Sequence, residues 1–546
     1  MHEHSLSRTL VPATLLATAT VIIGLTWWWL GQPVAMPQAT LPADKLHCVS
    51  YAPFRDDQSP SSAATYIPAS QIEEDLTRLK PLTDCVRTYS VEHGLDQIPE
   101  IARRLGMTVI QGLWLSSNIE KNRQHLDSVV ALAKRFPDVI RSIVVGNEVL
   151  LRGELSAPDL ANIIREVKRQ VSVPVTYADV WEFWLRHREI YAAVDFVTVH
   201  ILPYWEDIPI PARDAAAHVG SIRARMAVAF PDKEILIGET GWPSAGRMRE
   251  GALPSQINQA LVVQEVLALA KRDGYRVNVI EAFDQPWKRQ LEGTVGGYWG
   301  LLDAQTRSLK FQWGAPVSNH PHWRLQAGGG IAFAILIFGA AAFARQYTFK
   351  TFAAPVTLWM AVAAIAAAGG AMIGLAVERM PVESLGAGGW IRSAVLVALA
   401  VLTPLAAAGA LMRQIFVPSF AALLSRTDGV RMGRLQMALG LLLIVLTVMA
   451  VQVALGLVFD PRYKDFPYAP LTACIVPFAV LTLRDLAARG HAMIAERAAA
   501  ALLALSAVYI LFNEGISNWQ SVWFCALLIA LAAILHLRRP APAAQS

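Results

Sequence analysis

Charged residues are scarce in this 546-residue chain, at 17% against roughly 25% in an ordinary soluble domain. A wholly soluble protein is thereby disfavoured. Four cysteines are too few for a disulfide-built mini-protein, and a hydrophobic content of 54% excludes a disordered chain. The 12 histidines form no His-Glu-x-x-His pattern, Cys-x-x-Cys is missing, and there is no Walker-type loop. Neither a metal site nor any other cofactor is therefore expected. His2 and His4 belong to the N-terminal tail.

The charge that is present is unevenly placed. Residues 44–325 hold 32 basic and 34 acidic side chains, a net of −2, while the rest hold 16 and 9. A nucleic-acid binder would concentrate its basic residues on the folded domain. Here the positive excess belongs to the apolar part, as it does beside membrane spans. Leu10–Leu30 is an uncharged run of 21 residues ending in Trp27, Trp28 and Trp29, long enough to cross a bilayer core and closed by an interfacial aromatic belt. The competing reading is a cleaved signal peptide. Its h-region would be only about 7–15 residues long, and the best cleavage site is Pro33-Val34-Ala35. Residues 1–31 are therefore expected to be an anchor helix and 32–45 a linker.

From Leu46 to about Pro316, short β-branched runs alternate with helical patterns, the mark of βα units. Eight runs can be counted: Leu46–Tyr51, Asp84–Tyr89, Thr108–Leu113, Ile140–Val145, Pro174–Ala178, Phe196–His200, Glu234–Gly238 and Arg276–Ala282. Stretches such as Ile119–Phe136 and Ser156–Gln170 between them have helical spacing and caps. The pattern predicts an α/β fold, a (β/α)₈ barrel over 46–318, for which about 250 residues are typical. The runner-up, a doubly wound open sheet, lacks a glycine-rich phosphate fingerprint after its first strand.

Beyond Trp323 come apolar stretches at 326–344, 352–377, 393–412, 435–459, 469–483, 498–512 and 519–535, a membrane domain of about seven helices over 326–538 and eight spans in all. The fifth and sixth stretches are short enough to be re-entrant or tilted. With the N-terminus cytoplasmic, Arg8, Arg345, Lys350, Arg413, Arg426, Arg431, Arg434, Arg484, Arg489, Arg497, Arg538 and Arg539 fall inside. Only Arg379, Arg392, Arg462 and Lys464 fall in outer loops. The positive-inside rule then puts the barrel outside the cytoplasm and both termini within it. Gln452 is the main polar residue deep in a span, where a helix–helix hydrogen bond would account for it. Cys474 and Cys525 read as packing residues. Cys48 and Cys85 sit at similar heights on adjacent strands; a disulfide and two thiols both stay open, because bridging neighbouring parallel strands strains the geometry.

In such a barrel the reactive side chains lie at the C-terminal strand ends. Glu148 follows strand four in Val145-Gly146-Asn147-Glu148, and Glu239 closes strand seven in Ile237-Gly238-Glu239-Thr240-Gly241-Trp242-Pro243. The two would face each other across the mouth. Paired carboxylates suit glycoside cleavage, where one protonates the leaving oxygen and the other attacks or stabilises the cationic carbon. A single strand-end glutamate is usually only a solvated charge. Two in these contexts are harder to dismiss. Asn147 is placed to bond a sugar 2-hydroxyl. Trp114, Trp181, Tyr204, Trp205, Trp242, Trp287 and Trp299 fall at strand ends where they can stack on pyranose rings, Tyr204, Trp242 and Trp287 foremost; the bland alternative for each is core packing. His200 ends strand six, with a structural hydrogen bond and a substrate contact both open.

These segments resemble glycoside hydrolase family 17, the β-1,3-glucanase-like family. The likeness runs from about Cys48 to Phe311 and includes Ser50-Tyr51-Ala52-Pro53-Phe54-Arg55, Val86-Arg87-Thr88-Tyr89, Gly146-Asn147-Glu148, Gly238-Glu239-Thr240-Gly241-Trp242-Pro243, Ala282-Phe283-Asp284-Gln285-Pro286-Trp287-Lys288, Glu292 and Trp299-Gly300-Leu301. The resemblance implies a retaining enzyme with Glu148 as general acid/base and Glu239 as nucleophile. Lys288 and Glu292 match supporting polar positions, and Tyr51, Asp284 and Trp299 join the expected substrate-binding set. Asp284-Gln285-Pro286 departs from the Asn/Asp-Glu of plant members. Such an acid must hold its proton near neutral pH, which asks for a raised pKa at Glu148, while Lys288 would help to keep Glu239 ionised.

The arrangement also resembles family 17 proteins linked to bacterial periplasmic β-glucan synthesis. The expectation is thus a glucanosyltransferase remodelling β-1,3 or β-1,6 glucan at the inner membrane, beside a β-glucan synthase. Short inner loops leave no room for a nucleotide-sugar synthase within this chain. A membrane-bound β-1,3-glucanase and a weakly catalytic glucan-binding or export module are the alternatives.

Overall fold

The computed structural model describes residues 2–37, 45–55, 57–349, 354–424, 432–485 and 494–537. Half of the expected linker (38–44) and Lys350, Arg426, Arg431, Arg489, Arg538 and Arg539 lie outside the described residues. The chain divides into two compact units, 34–317 and 1–33 with 318–546.

The first unit is a closed parallel barrel of eight strands in sequential order: β1 Cys48–Ser50, β2 Cys85–Arg87, β3 Thr108–Leu113, β4 Ile140–Asn147, β5 Val175–Val180, β6 Val197–His200, β7 Ile235–Thr240 and β8 Val277–Val279. Alternation decides which residues face inward. Val49, Val86, Val109, Ile143, Val175, Val197, Ile235 and Val277 are buried in the main apolar core, each worth about 1.5–3 kcal/mol of burial. The alternate residues Cys48, Cys85, Ile110, Val144, Ala178 and Leu236 form a separate small cluster inside the barrel. Above it the lining turns polar. Asn278 Nδ2 donates to Ser50 Oγ at 2.8 Å, and the Thr176 and Thr198 hydroxyls are 3.0 Å apart. Two of the intervening helices carry the side-chain caps their sequences offer: Asn118 accepts from the Lys121 amide before Ile119–Arg135, and Ser156 from the Asp159 amide before Ala157–Gln170.

Cys48 and Cys85 are disulfide-bonded, with Cα atoms 4.6 Å apart. Val49 pairs with Val86, so the two cysteines are register neighbours on one face, and adjacency in the sheet supplies the close approach. The bridge spans 37 positions of sequence. Replacing both cysteines by alanine is expected to cost about 2–4 kcal/mol of unfolding free energy, measured by denaturant titration. An unchanged midpoint in the double variant would refute the expectation.

The second unit is all-helical. Among the described residues seven helices are long and apolar enough to cross a membrane: Leu10–Leu30, Trp323–Arg345, Val356–Glu383, Gly386–Arg413, Arg434–Phe459, Ile494–Glu514 and Trp519–His536. An eighth apolar helix, Tyr468–Arg484, has 17 residues, short of the roughly 20 needed for a straight crossing. The sixth stretch after the barrel is longer than its apolar run suggested, because the helix starts before Glu496. That side chain is fully buried and accepts from the Phe420 amide at 2.9 Å, so a charge that breaks the hydropathy pattern leaves the helix intact. Of the three tryptophans, Trp28 and Trp29 are exposed, whereas Trp27 is buried against the His320 ring. Gln452 has no hydrogen-bond partner among the described residues, contrary to expectation, and lines a cavity.

Candidate active site

Both glutamates reach the barrel mouth through a break in strand register. Between β4 and β5 the pairing steps from Val144↔Thr176 to Asn147↔Ala178, three residues against two. The extra residue overrides simple alternation and turns Asn147 toward the axis. Gly146 has φ +86° and Glu148 φ +54°. A left-handed glutamate is strained, by about 1–3 kcal/mol, and here it is held by its amide bonding the Ala178 carbonyl at 2.8 Å. On β7 the pairing steps from Val199↔Ile237 to His200↔Glu239, skipping Gly238. A Cβ on Gly238 would lie 2.3 Å from Thr198 Cγ2, so only glycine allows the bulge that brings Glu239 inside.

The two carboxylates meet at His200. Its Nδ1 is 2.9 Å from Glu148 Oε1 and its Nε2 3.5 Å from Glu239 Oε1. One ligand-type atom from each of the three lies within 4.8 Å of the others. That spacing would also suit a metal ion, but Arg87 already occupies the charge balance. Arg87 Nη1 is 2.8 Å from Glu239 Oε1 and 3.4 Å from His200 Nε2, so a divalent cation would meet a fixed positive group. Arg87 also donates to the Gly238 carbonyl at 2.9 Å and, through Nη2, to Asn147 Oδ1. Tyr89 adds a hydroxyl donor to Glu239 Oε1 at 2.8 Å. Glu239 is thus buried, 5% exposed, and held by two side-chain donors. The cation is Arg87. Lys288 instead bonds Glu281 Oε1 at 2.7 Å.

Burial pushes the Glu148 carboxyl up, as the sequence reading required. The hydrogen bond and charge of His200, with the charges of Lys288 and Arg152, outweigh it and bring the group below its ordinary value. The net direction at Glu148 is thus downward, against the raised pKa that the sequence reading called for. Beside them Glu281 is pushed up to about 7, chiefly by burial against the opposing charge of Lys288. Burial alone would lower Lys288, but Glu281 and Glu292 raise it well above its ordinary value.

Several expected substrate contacts are packing instead. Tyr51 lies on the strand face turned away from Ser50 and donates its hydroxyl to Asp75 at 3.0 Å. Tyr204 and Trp242 are fully buried and donate to the Arg247 and Leu253 carbonyls. Trp299 is sealed behind Trp205, its ring stacked at 6.4 Å. Asp284 is buried against Lys310 and the Gly300 amide, which fixes the loop after β8; burial pushes its carboxyl up to about 6. The half-buried aromatics Trp114, Trp181, Trp205 and Trp287 retain exposed ring surface. Arg87, Tyr89 and Glu281 were missed as site residues. The available signal was an arginine in the inward register of a short strand, two residues after an inward cysteine.

Residues 48–300 match the family model described as the BtgE/BtgC glycoside hydrolase domain. A probable beta-glucosidase of Aspergillus fumigatus is 30% identical over 226 residues, covering 40% of this chain and 39% of that protein. A glucan 1,3-beta-glucosidase of Candida albicans is 28% identical over 266 residues, covering 44% of this chain and 85% of that protein. The chain thus spans less than half the length of the Aspergillus relative. Among solved structures, the family 17 beta-1,3-glucanosyltransferase of Rhizomucor miehei is 25% identical, with a TM-score of 0.43 over 48% of this chain and 95% of that one.

Proposed function

We propose that the barrel, whose residues 48–300 match the BtgE/BtgC glycoside hydrolase domain, is of the family 17 type and acts on β-1,3-glucan as a retaining glucanosyltransferase. Glu239 attacks the anomeric carbon while Glu148 gives its proton to the departing oxygen, leaving a glucosyl-enzyme ester. Glu148 then takes the proton from an incoming sugar hydroxyl as that oxygen attacks the same carbon and releases Glu239. The supporting observation is the short separation of the two carboxylates, with oxygen atoms within 4.8 Å. Inverting pairs stand about 6.5–9.5 Å apart to admit a water. Asn147, fixed by Arg87, is placed for the 2-hydroxyl, and Trp287 and Lys288 are the expected contacts that remain at the rim.

The helical unit is proposed to hold the barrel at a bacterial inner membrane, on the periplasmic side, with both termini in the cytoplasm. The basic loops support that orientation. An enzyme that only degrades gains little from eight spans. One that remodels a polymer leaving a β-glucan synthase gains from staying beside it, and β-1,6 branching is within the same chemistry. Hydrolysis is the second reading, favoured by the glucosidase names of the relatives. The test is the detergent-solubilised full chain with laminari-oligosaccharides, products resolved by mass spectrometry and NMR. Products longer than the substrate support transfer; only shorter ones replace it with hydrolysis.

His200 gives this reading a pH signature. Its hydrogen bond and charge hold Glu148 down against burial. In His200→Gln burial is opposed only by the charges of Lys288 and Arg152, so the Glu148 carboxyl rises. A general acid works only while protonated, and its loss sets the alkaline limb of kcat/KM. That limb is expected to move to higher pH in the variant. A limb that stays in place or moves down contradicts the assignment of Glu148 as the acid.

A further inference from the structure

Two fully buried polar side chains on β5 take no part in the chemistry of the barrel mouth. Tyr177 and Asp179 are 1% and 0% exposed, and alternation puts both on the strand face opposite Ala178, which belongs to the small cluster inside the barrel. Neither can meet substrate. Their polar atoms go instead to the turn that follows β4. The Tyr177 hydroxyl accepts from the Leu150 amide at 3.0 Å and donates to Asp179 Oδ2. The same Asp179 oxygen accepts from the Leu151 amide at 3.4 Å, while Oδ1 accepts from the Val180 amide at 2.8 Å. Trp184 packs on the Tyr177 ring, centroids 5.7 Å apart, and is itself tied to the Thr198 carbonyl of β6 at 2.8 Å. The phenol is thus held from behind.

Leu150 and Leu151 are the second and third residues after Glu148. The turn they belong to also closes on itself: the Arg152 amide donates to the Glu148 carbonyl at 2.9 Å, and the Arg152 guanidinium reaches back to the Asn147 and Leu115 carbonyls. With the Glu148 amide on the Ala178 carbonyl, three residues of β5 supply acceptors to the amides of residues 148, 150 and 151. A glutamate at φ +54° persists only where its surroundings over-determine it, and these acceptors do so. Asp179 is a costly member of such a set. Burial pushes its carboxyl up to about 6, the Tyr177 hydrogen bond opposes that rise, and the charge of Glu148 adds to it. A neutral amide or hydroxyl would accept from the same amides without burying a charge.

We propose that Tyr177 and Asp179 are positioning residues for the acid/base, a buried clamp on the 148–152 turn that keeps the Glu148 carboxyl aligned with the departing oxygen. The inference rests on the reading of Glu148 as the acid, and the experiment separates the two. It measures kcat/KM of the detergent-solubilised full chain on two aryl β-glucosides that differ only in the leaving group, phenyl and dinitrophenyl. Phenolate departs slowly unless it is protonated, dinitrophenolate needs no proton, and kcat/KM reports only the steps through aryl release. In Tyr177→Phe the Leu150 amide loses its acceptor. The expected loss is about 10- to 100-fold on the phenyl glucoside, the scale of a slightly misplaced group, and about threefold or less on the dinitrophenyl glucoside. Asp179→Asn, which keeps the shape and one acceptor oxygen, should show the same split more weakly. The ratio of the two values does not depend on how much of a preparation is folded, so a protein that is merely destabilised keeps the wild-type ratio. A split in either variant supports the clamp. Equal losses on both substrates, or no loss on either, in both variants would overturn it. Glu148→Ala sets the scale with the largest split of the three; if it shows none, the assignment of Glu148 as the acid fails, and the clamp with it.

Discussion

Glu239→Ala is expected to lower turnover of laminari-oligosaccharides by roughly 10⁴-fold or more, the scale seen when a nucleophile is removed from a site that acts as a unit. The stronger test is what restores it. The truncated side chain leaves a space on the face from which Glu239 would attack, and azide can enter it. With an activated aryl β-glucoside, the C1–N bond forms as the C1–O bond breaks, so the product expected from Glu239→Ala is the α-glucosyl azide. Glu148→Ala keeps its nucleophile. An activated leaving group needs no proton, the glucosyl-enzyme forms, and azide then attacks from the opposite face to give the β-glucosyl azide. The two anomers thus assign the two carboxylates independently of rate. The same anomer from both variants, or near-normal turnover by Glu239→Ala, would defeat the assignment. Protein that elutes and melts as wild type is the needed control, because Glu239 is buried against Arg87 and its loss leaves that cation without its carboxylate.

The barrel was legible because its strands are short and separated by capped helices. Val175, Val197, Ile235 and Val277 repeat the same outward register, and every strand falls within or beside its β-branched run. Glu148 and Glu239 were legible as strand-end residues. Their inward orientation was not, because it depends on two bulges, at Gly146-Asn147 and Gly238, that no period-2 pattern contains. Aromatics misled for a different reason. Tyr204 and Trp242 stand in the most distinctive motifs, yet they are fully buried and hold loop carbonyls. A motif marks constraint, and in a barrel the loops behind the site are as constrained as the site itself. Lys288 was expected to act on Glu239 but bonds a different carboxylate. Its carboxylate is Glu281, two residues past the end of β8, where sequence alone gives a charge no direction.

Arg87→Met should produce the second large effect, and it separates geometry from charge. One guanidinium serves the Glu239 carboxylate, the Gly238 carbonyl and the Asn147 amide oxygen at once, so it fixes the proposed nucleophile, the bulge that presents it and the residue proposed for the 2-hydroxyl. Removing it leaves a buried carboxylate without its cation, a loss of about 3–5 kcal/mol of unfolding free energy. It also releases Glu239 and Asn147 from their common anchor, for an expected fall in kcat/KM of about 10²–10³-fold. Arg87→Lys distinguishes the two losses. An ammonium restores the positive charge beside Glu239, but a single point donor cannot span acceptors on β4 and β7 as a planar fork does. Much of the stability should therefore return in the lysine variant while kcat/KM stays low, with kcat affected more than KM. If lysine restored both together, the role of Arg87 would reduce to charge compensation. If methionine left kcat/KM within a factor of about 2 of wild type, a change of only some 0.4 kcal/mol, the network around Glu239 would be structural, and the barrel's chemistry would have to be sought elsewhere on its rim.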